Sequence, residues 1–472
     1  MLLSIDNQKI RQAENLKNNW KLKEALNLLD NIDLNDDTTT HERFQFYFLK
    51  SSILIDLLSS KEAMKYAELA YNESKKLGSD YQIINVLMLK SHIFASLLEP
   101  SNQLEMINEA EEILARNSRK SSHEFKVMKG LVLSCKGGYN FSVGNLDLSL
   151  RFFSEAFQLA HEINDKKLIL RTTKWLGFVY NMKGESECAL EYKKRYLALA
   201  IELKDKQEII GAHNTLGMQF TDKGEFEKAI DHLEKGLSLC YEINSWKTFI
   251  LCSTLFDIYI DSNSLEKARQ CFERMEALVK QGTSKFNKVI YRLSEAVLLK
   301  HEALEDSLSK AEIIFKEVAD EETKFLEFKI YALVNLCDLY LFRLKKTSNL
   351  KELDNIQPYI DKIRLVAENE GVFSLDAEMH LFQAKLKLVT FEFKEAQENL
   401  VQALDIANKH NLNLLVKRIG DEQTELLKNF VKWEKFKTLG ATISERMDLA
   451  RVDEQIQILL QKRNYLKGIS TS

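Results

Sequence analysis

The chain has 472 residues, 45% of them hydrophobic and 29% charged, with 66 basic against 70 acidic side chains and a net charge of -4. That much apolar surface excludes a disordered chain, and the balanced charge, without a dense Lys/Arg block, excludes the footprint of a nucleic-acid or anionic-lipid binder. Only 2 prolines and 16 glycines occur, so residues that break or loosen helices are scarce and many helices joined by short turns are expected.

The opening Met1-Leu2-Leu3-Ser4-Ile5 turns polar at Asp6, too short an apolar run for a signal peptide. No apolar run reaches the roughly 18 residues of a membrane span, and a cytoplasmic location is expected. The cysteines, at 135, 188, 240, 252, 271 and 337, form no Cys-x-x-Cys pair and read as small hydrophobes in a reducing compartment.

Residues 1–40 read as a divergent first helix pair, with Ala13 and Ala25 twelve residues apart. Ser51 and Ala63 keep that interval. An expanded turn is expected around Pro100-Ser101-Asn102. The pattern sharpens at Gly137 and Gly144, then at Thr173-Lys174-Trp175-Leu176-Gly177-Phe178-Val179-Tyr180, which aligns with His213-Asn214-Thr215-Leu216-Gly217-Met218-Gln219-Phe220 forty residues on. After each Leu-Gly comes an aromatic (Tyr180, Phe220), then a glycine (Gly184, Gly224), then an alanine (Ala189, Ala229). A further copy runs from Thr254 through Tyr259 to Ala268, with Phe256 at the small position and Asn263 at the glycine. Residues 345–357 read as an insertion ahead of Pro358, after which Ala384 and Ala396 resume the interval. About ten helix pairs result.

The array is taken to fill residues 1–410. Residues 411–472 form a separate region of two long helices, 411–437 and 443–467. In the second, Leu449, Val452, Ile456, Leu459 and Leu466 make a stripe broken by Arg463. It suits either a cap over the last exposed groove or a short coiled coil joining a homodimer. The stripe spans fewer than three heptads, which favours the cap.

Each repeated choice has a mechanical reason. Apolar residues at helical spacing mark two amphipathic helices per unit, A and B. Gly177 and Gly217 on helix A, with Ala189 and Ala229 on helix B, let the two backbones approach. Gly144, Gly184 and Gly224 stand where helix A stops and a left-handed cap is cheapest for glycine. Asparagine at 263 is the usual substitute. Acidic residues opening helix B, such as Glu225, Glu227 and Glu266, suit the positive end of its dipole.

Gly177/Tyr180/Ala189 and Gly217/Phe220/Ala229 carry the small, aromatic and alanine positions of the tetratricopeptide repeat, which this chain resembles. The 40-residue period is similar to the long-helix arrays of MalT-type, LGN-type and Rap-type proteins. The resemblance implies an all-α solenoid of antiparallel helix pairs whose A helices line a concave wall. It implies a scaffold or adaptor for a peptide or partner protein. The alternative is a regulatory sensor whose solenoid changes shape on binding and controls a signalling or transcription partner.

No His-Glu-x-x-His, zinc spacing, Gly-Lys-Ser/Thr phosphate loop or Gly-x-Ser-x-Gly elbow occurs. His213 and His232 fall in one predicted pair and read as structural. No enzyme activity, metal or cofactor is expected. The helix A residues that face away from helix B are Arg171, Lys174, Phe178 and Asn181, then Asn214, Met218 and Thr221, then Ser253, Asp257 and Asp261. They suit an extended or helical peptide. Lys174 holds the lysine position of the family's carboxylate clamp, but Phe178 stands where that clamp needs asparagine.

Overall fold

The computed structural model describes residues 5–35, 38–57, 59–97, 99–116, 122–243, 245, 247–282, 285–321, 326–369, 372–410 and 412–461. Among them lie 24 helices and no strand, and no helix is long and apolar enough to cross a membrane. Twenty helices precede residue 412, the number that ten pairs require. The fold is an α-solenoid of tetratricopeptide type, in two compact units, 1–219 and 220–472.

The first unit holds α1 (Ile5–Asn18) with α2 (Leu22–Asp30), α3 (Thr40–Asp56) with α4 (Ser60–Leu77), and α5 (Asp80–Ser96) with α6 (Pro100–Arg116). It continues with α7 (His123–Ser142) and α8 (Leu146–Glu162), α9 (Lys166–Met182) and α10 (Ser186–Glu202), and enters α11 (Lys206–Asp222), within which the division falls. The second unit holds α12 (Phe226–Ile243), α13 (Thr248–Asp261) with α14 (Leu265–Lys280), and α15 (Lys285–Glu302) with α16 (Glu305–Asp320). Then come α17 (Leu326–Thr347) with α18 (Lys351–Asn369), α19 (Phe373–Val389) with α20 (Phe393–Lys409), and four terminal helices. These are α21 (Asn413–Lys428), α22 (Phe430–Leu439), α23 (Ile443–Ala450) and α24 (Val452–Gln461).

Turns made by left-handed residues define the hairpins. Gly144, Gly184 and Gly224 have φ of 80°, 77° and 72°, and Asn263 has φ 54°. At the second of these, Gly184 N–H donates to Asn181 O (3.0 Å) and Glu185 N–H to Tyr180 O (2.9 Å), which satisfies the last carbonyls of helix A. Turns between pairs use the same device with less permissive residues, Asn164 (φ 55°) and Lys204 (φ 56°).

The small positions work as expected where helices touch. A Cβ placed on Gly177 would lie 3.3 Å from Lys193 Cγ on α10, and one on Gly137 would lie 2.9 Å from three atoms of the Phe153 ring on α8. Where serine replaces glycine or alanine, its hydroxyl bonds the partner backbone: Ser51 Oγ donates to Ala63 O and Ser149 Oγ to Gly137 O, both at 2.8 Å. Phe256, at the small position of α13, is buried against Phe272 of α14 at 6.4 Å between ring centres. The neighbouring ring makes room for it and the pair stays closed.

A ladder of ion pairs ties successive pairs in the first unit. Lys50, Lys90 and Lys136 stand one residue before the small position and reach Asp30 (2.6 Å), Glu68 (2.9 Å) and Glu111 (2.7 Å) on the preceding helix B. Each ammonium also lies over an aromatic ring, Tyr66, Tyr71 and Phe152 respectively.

Three expectations are corrected. No expanded turn occurs at Pro100, which is the first residue of α6, where its missing N–H costs nothing. No insertion precedes Pro358: α17 runs to Thr347, α18 begins at Lys351, and Pro358 lies inside it on an exposed face, so water can take the carbonyl the ring leaves unpaired. The two long terminal helices are each broken, at Asn429 and at Arg451, whose φ is 53°. Leu466 and the end of the 443–467 stripe lie outside the described residues. Ile443, Met447, Val452, Ile456 and Leu459 are buried in the second unit, where α23 and α24 pack on α17 and α19.

Candidate peptide-binding site

Within the first unit α1, α3, α5 and α7 each touch the next A helix directly, whereas α4, α6 and α8 contact mainly the A helices on either side. The A helices therefore form the tighter, inner wall. Aligning Ser91, Gly137 and Gly177 as the small positions puts the following residues, His92, Gly138 and Phe178, in one row across α5, α7 and α9.

On α9, Arg171 is exposed, and Lys174, Phe178 and Asn181 are half-buried. Phe178 leans on Trp175 at 5.8 Å between ring centres, and Trp175 stacks in turn on buried Phe153 at 5.4 Å. The aromatic anchor is thus fixed from beneath. On α11, Asn214 is buried and its Nδ2 lies 3.9 Å from the sulfur of half-buried Met218. These six share the first unit. Thr221 and Asp257 belong to the second, both half-buried, and Ser253 beside Asp257 is fully buried, so it presents no side chain to a guest.

His92 is a wall residue that sequence reasoning missed. Its side chain is exposed; the packed helices around it, and then the charges of Arg171 and Lys174, hold the imidazole below its usual range. Cys135 on α7 is pushed up to about 11 by burial, with Arg171 pulling the other way. The available signal was the twelve-residue interval from Ser91 to Gln103, which uses neither glycine nor alanine.

In the second unit the equivalent wall is occupied. Ala384 stands where Gly177 stands in α9, which makes Glu378 the equivalent of Arg171 and Lys385 the equivalent of Phe178. Gln455 Nε2 of α24 donates to Glu378 Oε2 at 2.8 Å, and Lys385 Nζ donates to Ala450 O of α23 at 3.1 Å. Lys385 also meets Glu422 at 3.0 Å, and Arg451 meets the same carboxylate at 3.0 Å. Burial lowers the Lys385 pKa in spite of Glu422.

Among the described residues no three side chains gather as a metal site. His232 stacks on Phe220 at 5.4 Å, a packing role. Of the cysteines, Cys240, Cys252, Cys271 and Cys337 are buried, Cys135 is half-buried and Cys188 is exposed.

The fold is similar to that of solved tetratricopeptide-type helical arrays. The chain is similar to a Rap protein solved in complex with Competence and Sporulation Factor, at TM-score 0.52 and 13% identity over 78% of this chain and 98% of that one. It is similar to the apo form of RapI (TM-score 0.52, 14% identity, 78% and 99% covered). It is equally similar to the apo form of the quorum sensor NprR from B. thuringiensis (TM-score 0.52, 14% identity, 78% and 99% covered). At such identities the likeness is one of fold. No family model and no curated protein matches the sequence.

Proposed function

We propose that the chain is a protein-interaction scaffold that holds a peptide or a segment of a partner protein on its wall of A helices. The observation that carries this reading is the wall of α19, where the positions equivalent to Arg171 and Phe178 already hold helical backbone and side chain from α23 and α24. The same positions on α9 carry an aromatic on a rigid base and two cations, residue types that dominate peptide recognition. Peptides of the length seen in helix-in-groove recognition are the expected guests.

The test is panning of a displayed random-peptide library against the full chain and against Phe178→Ala. Wild type should enrich a related set of peptides, and the variant should lose them while keeping its helical circular dichroism. Equal enrichment by both proteins would put the site elsewhere.

A second reading, a sensor that changes state when its guest binds, is favoured by the packing of α23 and α24 on α17 and α19. A guest competing for that wall would release the terminal helices and hand the signal to a partner.

A further inference from the structure

Among the described residues, the most exposed large apolar side chains gather at α22. Val431 is 80% exposed, Leu427 76% and Leu439 72%, ahead of Leu304 at 65%. Leu427 lies in the last turn of α21 and the other two on α22. The i−4 hydrogen bonds run on through the junction, Asn429 N–H to Glu425 O at 3.0 Å and Trp433 N–H to Asn429 O at 2.9 Å, so one helical register serves both. Helix α22 cannot turn to hide its apolar residues. Fully buried Trp433 pins it against Phe391 in the α19–α20 turn and Phe393 at the start of α20, both at 6.3 Å between ring centres. Val431 stands two residues from Trp433, about 160° around the helix, and so faces water.

Leu427, Val431, Lys435 and Leu439 recur every four residues and form one continuous ridge, exposed along its length. The row beside it holds Lys428 and Lys432, both exposed, and the row on the other side Phe430, Glu434 and Thr438. Among the described residues Lys428, Lys432 and Lys435 take part in no ion pair or hydrogen bond. Lys432 lies over the Phe436 ring at 5.7 Å, a contact that leaves its N–H donors open. In the same unit Lys316, Lys345, Lys362 and Lys387 each meet a carboxylate, so bare lysines are not the rule there. An apolar ridge beside a row of unpaired cations marks an interaction surface.

We infer that the solvent face of α22 docks an amphipathic helix of a partner protein, apolar where it meets Leu427, Val431 and Leu439 and acidic where it meets Lys428 and Lys432. This surface uses nothing of the wall of α5, α7 and α9 and stands whether or not that wall holds a peptide. A ridge of every fourth residue fits the groove between two rows of a facing helix. From Leu427 to Leu439 it runs about 18 Å, the length of about twelve helical residues. An anionic bilayer is the rival occupant. Glu434, exposed on the other flank, and the net charge of -4 both oppose a negative plane. A helix with acids on one side alone meets the lysines and leaves Glu434 to water.

The probes are pools of labelled helical peptides of about 18 residues, with Leu, Ile, Val, Met or Phe mixed along the apolar seam and one flank fixed as Glu or as Lys. A third pool carries Ser along the seam. Fluorescence anisotropy reads binding to the full chain for wild type, Leu427→Ser/Val431→Ser, Lys428→Glu/Lys432→Glu and Lys61→Glu/Lys65→Glu, the last an exposed change of equal charge on α4. Every change is at an exposed position, and circular dichroism should stay as in wild type. Wild type and the α4 variant should bind the Glu-flanked pool about tenfold more tightly than the Lys-flanked one and ignore the Ser pool. Leu427→Ser/Val431→Ser should weaken that binding by at least about tenfold, and Lys428→Glu/Lys432→Glu should reverse the flank preference. The docking surface is wrong if wild type binds no apolar-seam pool, binds both flanks alike, or binds through neither α22 pair. Sedimentation with phosphatidylserine vesicles that Leu427→Ser/Val431→Ser abolishes, in a wild type that prefers neither flank, would replace the helix by a membrane. The A-helix wall is judged separately, by Phe178→Ala.

Discussion

Gly137 and Gly138 are adjacent on α7 and differ in one respect. A Cβ on Gly137 would sit 2.9 Å from the Phe153 ring, whereas one on Gly138 would meet nothing within 4 Å. Carbon atoms normally rest at about 3.5–4.0 Å, so Gly137→Ala forces Phe153 to retreat. That ring is fully buried and stacked on Trp175 with planes 8° apart, which leaves it nowhere to go. Overpacking of this kind costs about 1–3 kcal/mol. Replacing a mid-helix glycine by alanine returns about 1 kcal/mol. Gly138→Ala collects that gain alone and should stabilise by about 1 kcal/mol. Gly137→Ala should be destabilised by up to about 2 kcal/mol, a gap of roughly 3 kcal/mol between neighbours at the upper end. The assay is urea denaturation followed by circular dichroism, comparing transition midpoints. A Gly137→Ala/Phe153→Leu double variant should recover part of the loss, since the ring is what stands in the way. If Gly137→Ala shifts the midpoint upward as far as Gly138→Ala does, the close approach of α7 and α8 is not what the small position provides.

Other expected outcomes follow the same logic. Glu68→Ala strands the buried Lys90 ammonium and should cost about 2 kcal/mol, whereas Lys90→Met leaves only a solvated Glu68 and should cost under about 1 kcal/mol; equal losses would show that the pair acts through something other than burial of Lys90. Ala303, forced to φ 57°, should tolerate glycine with a gain of about 0.5–1 kcal/mol in the denaturation midpoint. Burial first, then the charge of Arg364, hold the His380 pKa below its usual value, in spite of the Asn399 hydrogen bond. The folded state therefore resists protonation, its stability is full above a pH of about 6.5 and declines as pH falls toward the folded pKa. His380→Gln should flatten that decline in a pH series of denaturation midpoints, and an unchanged slope would rule the residue out as a source. Ile456→Asp, which puts a charge at a fully buried position of α24, should make the chain after α22 sensitive to limited proteolysis; unchanged resistance would mean that α24 is held by its ends alone.

Much of the hairpin plan was legible because it depends on residue types with narrow uses. A left-handed turn favours glycine or asparagine, and the positions at 144, 184, 224 and 263 all have positive φ. Close helix approach favours a small residue, which Gly137 and Gly177 supply. What escaped was where other residues do the same work at some cost. Trp20, Ala303 and Phe391 take positive φ with no compositional sign, and the break at Arg451 rests on an arginine whose guanidinium is held by Glu422 at 3.0 Å. Pro358 looked like a boundary, but its exposed face lets a helix run through it. The wall residues of α9 were legible from the register of Gly177. His92 was not, since Ser91 and Gln103 fill the small positions of that pair. Nor was the lysine ladder legible, because its acids lie on the preceding helix at intervals that vary from 20 to 25 residues.

On the sensor reading, the terminal helices resting on α17 and α19 would act as a tethered competitor for the guest. A segment joined to its own seat is present there at an effective concentration in the millimolar range, however dilute the protein. An external peptide at micromolar levels must then outbind it by roughly a thousandfold to claim that stretch. Truncation after α22 should therefore act as a gain of function, turning a weakly responsive surface into an avid one.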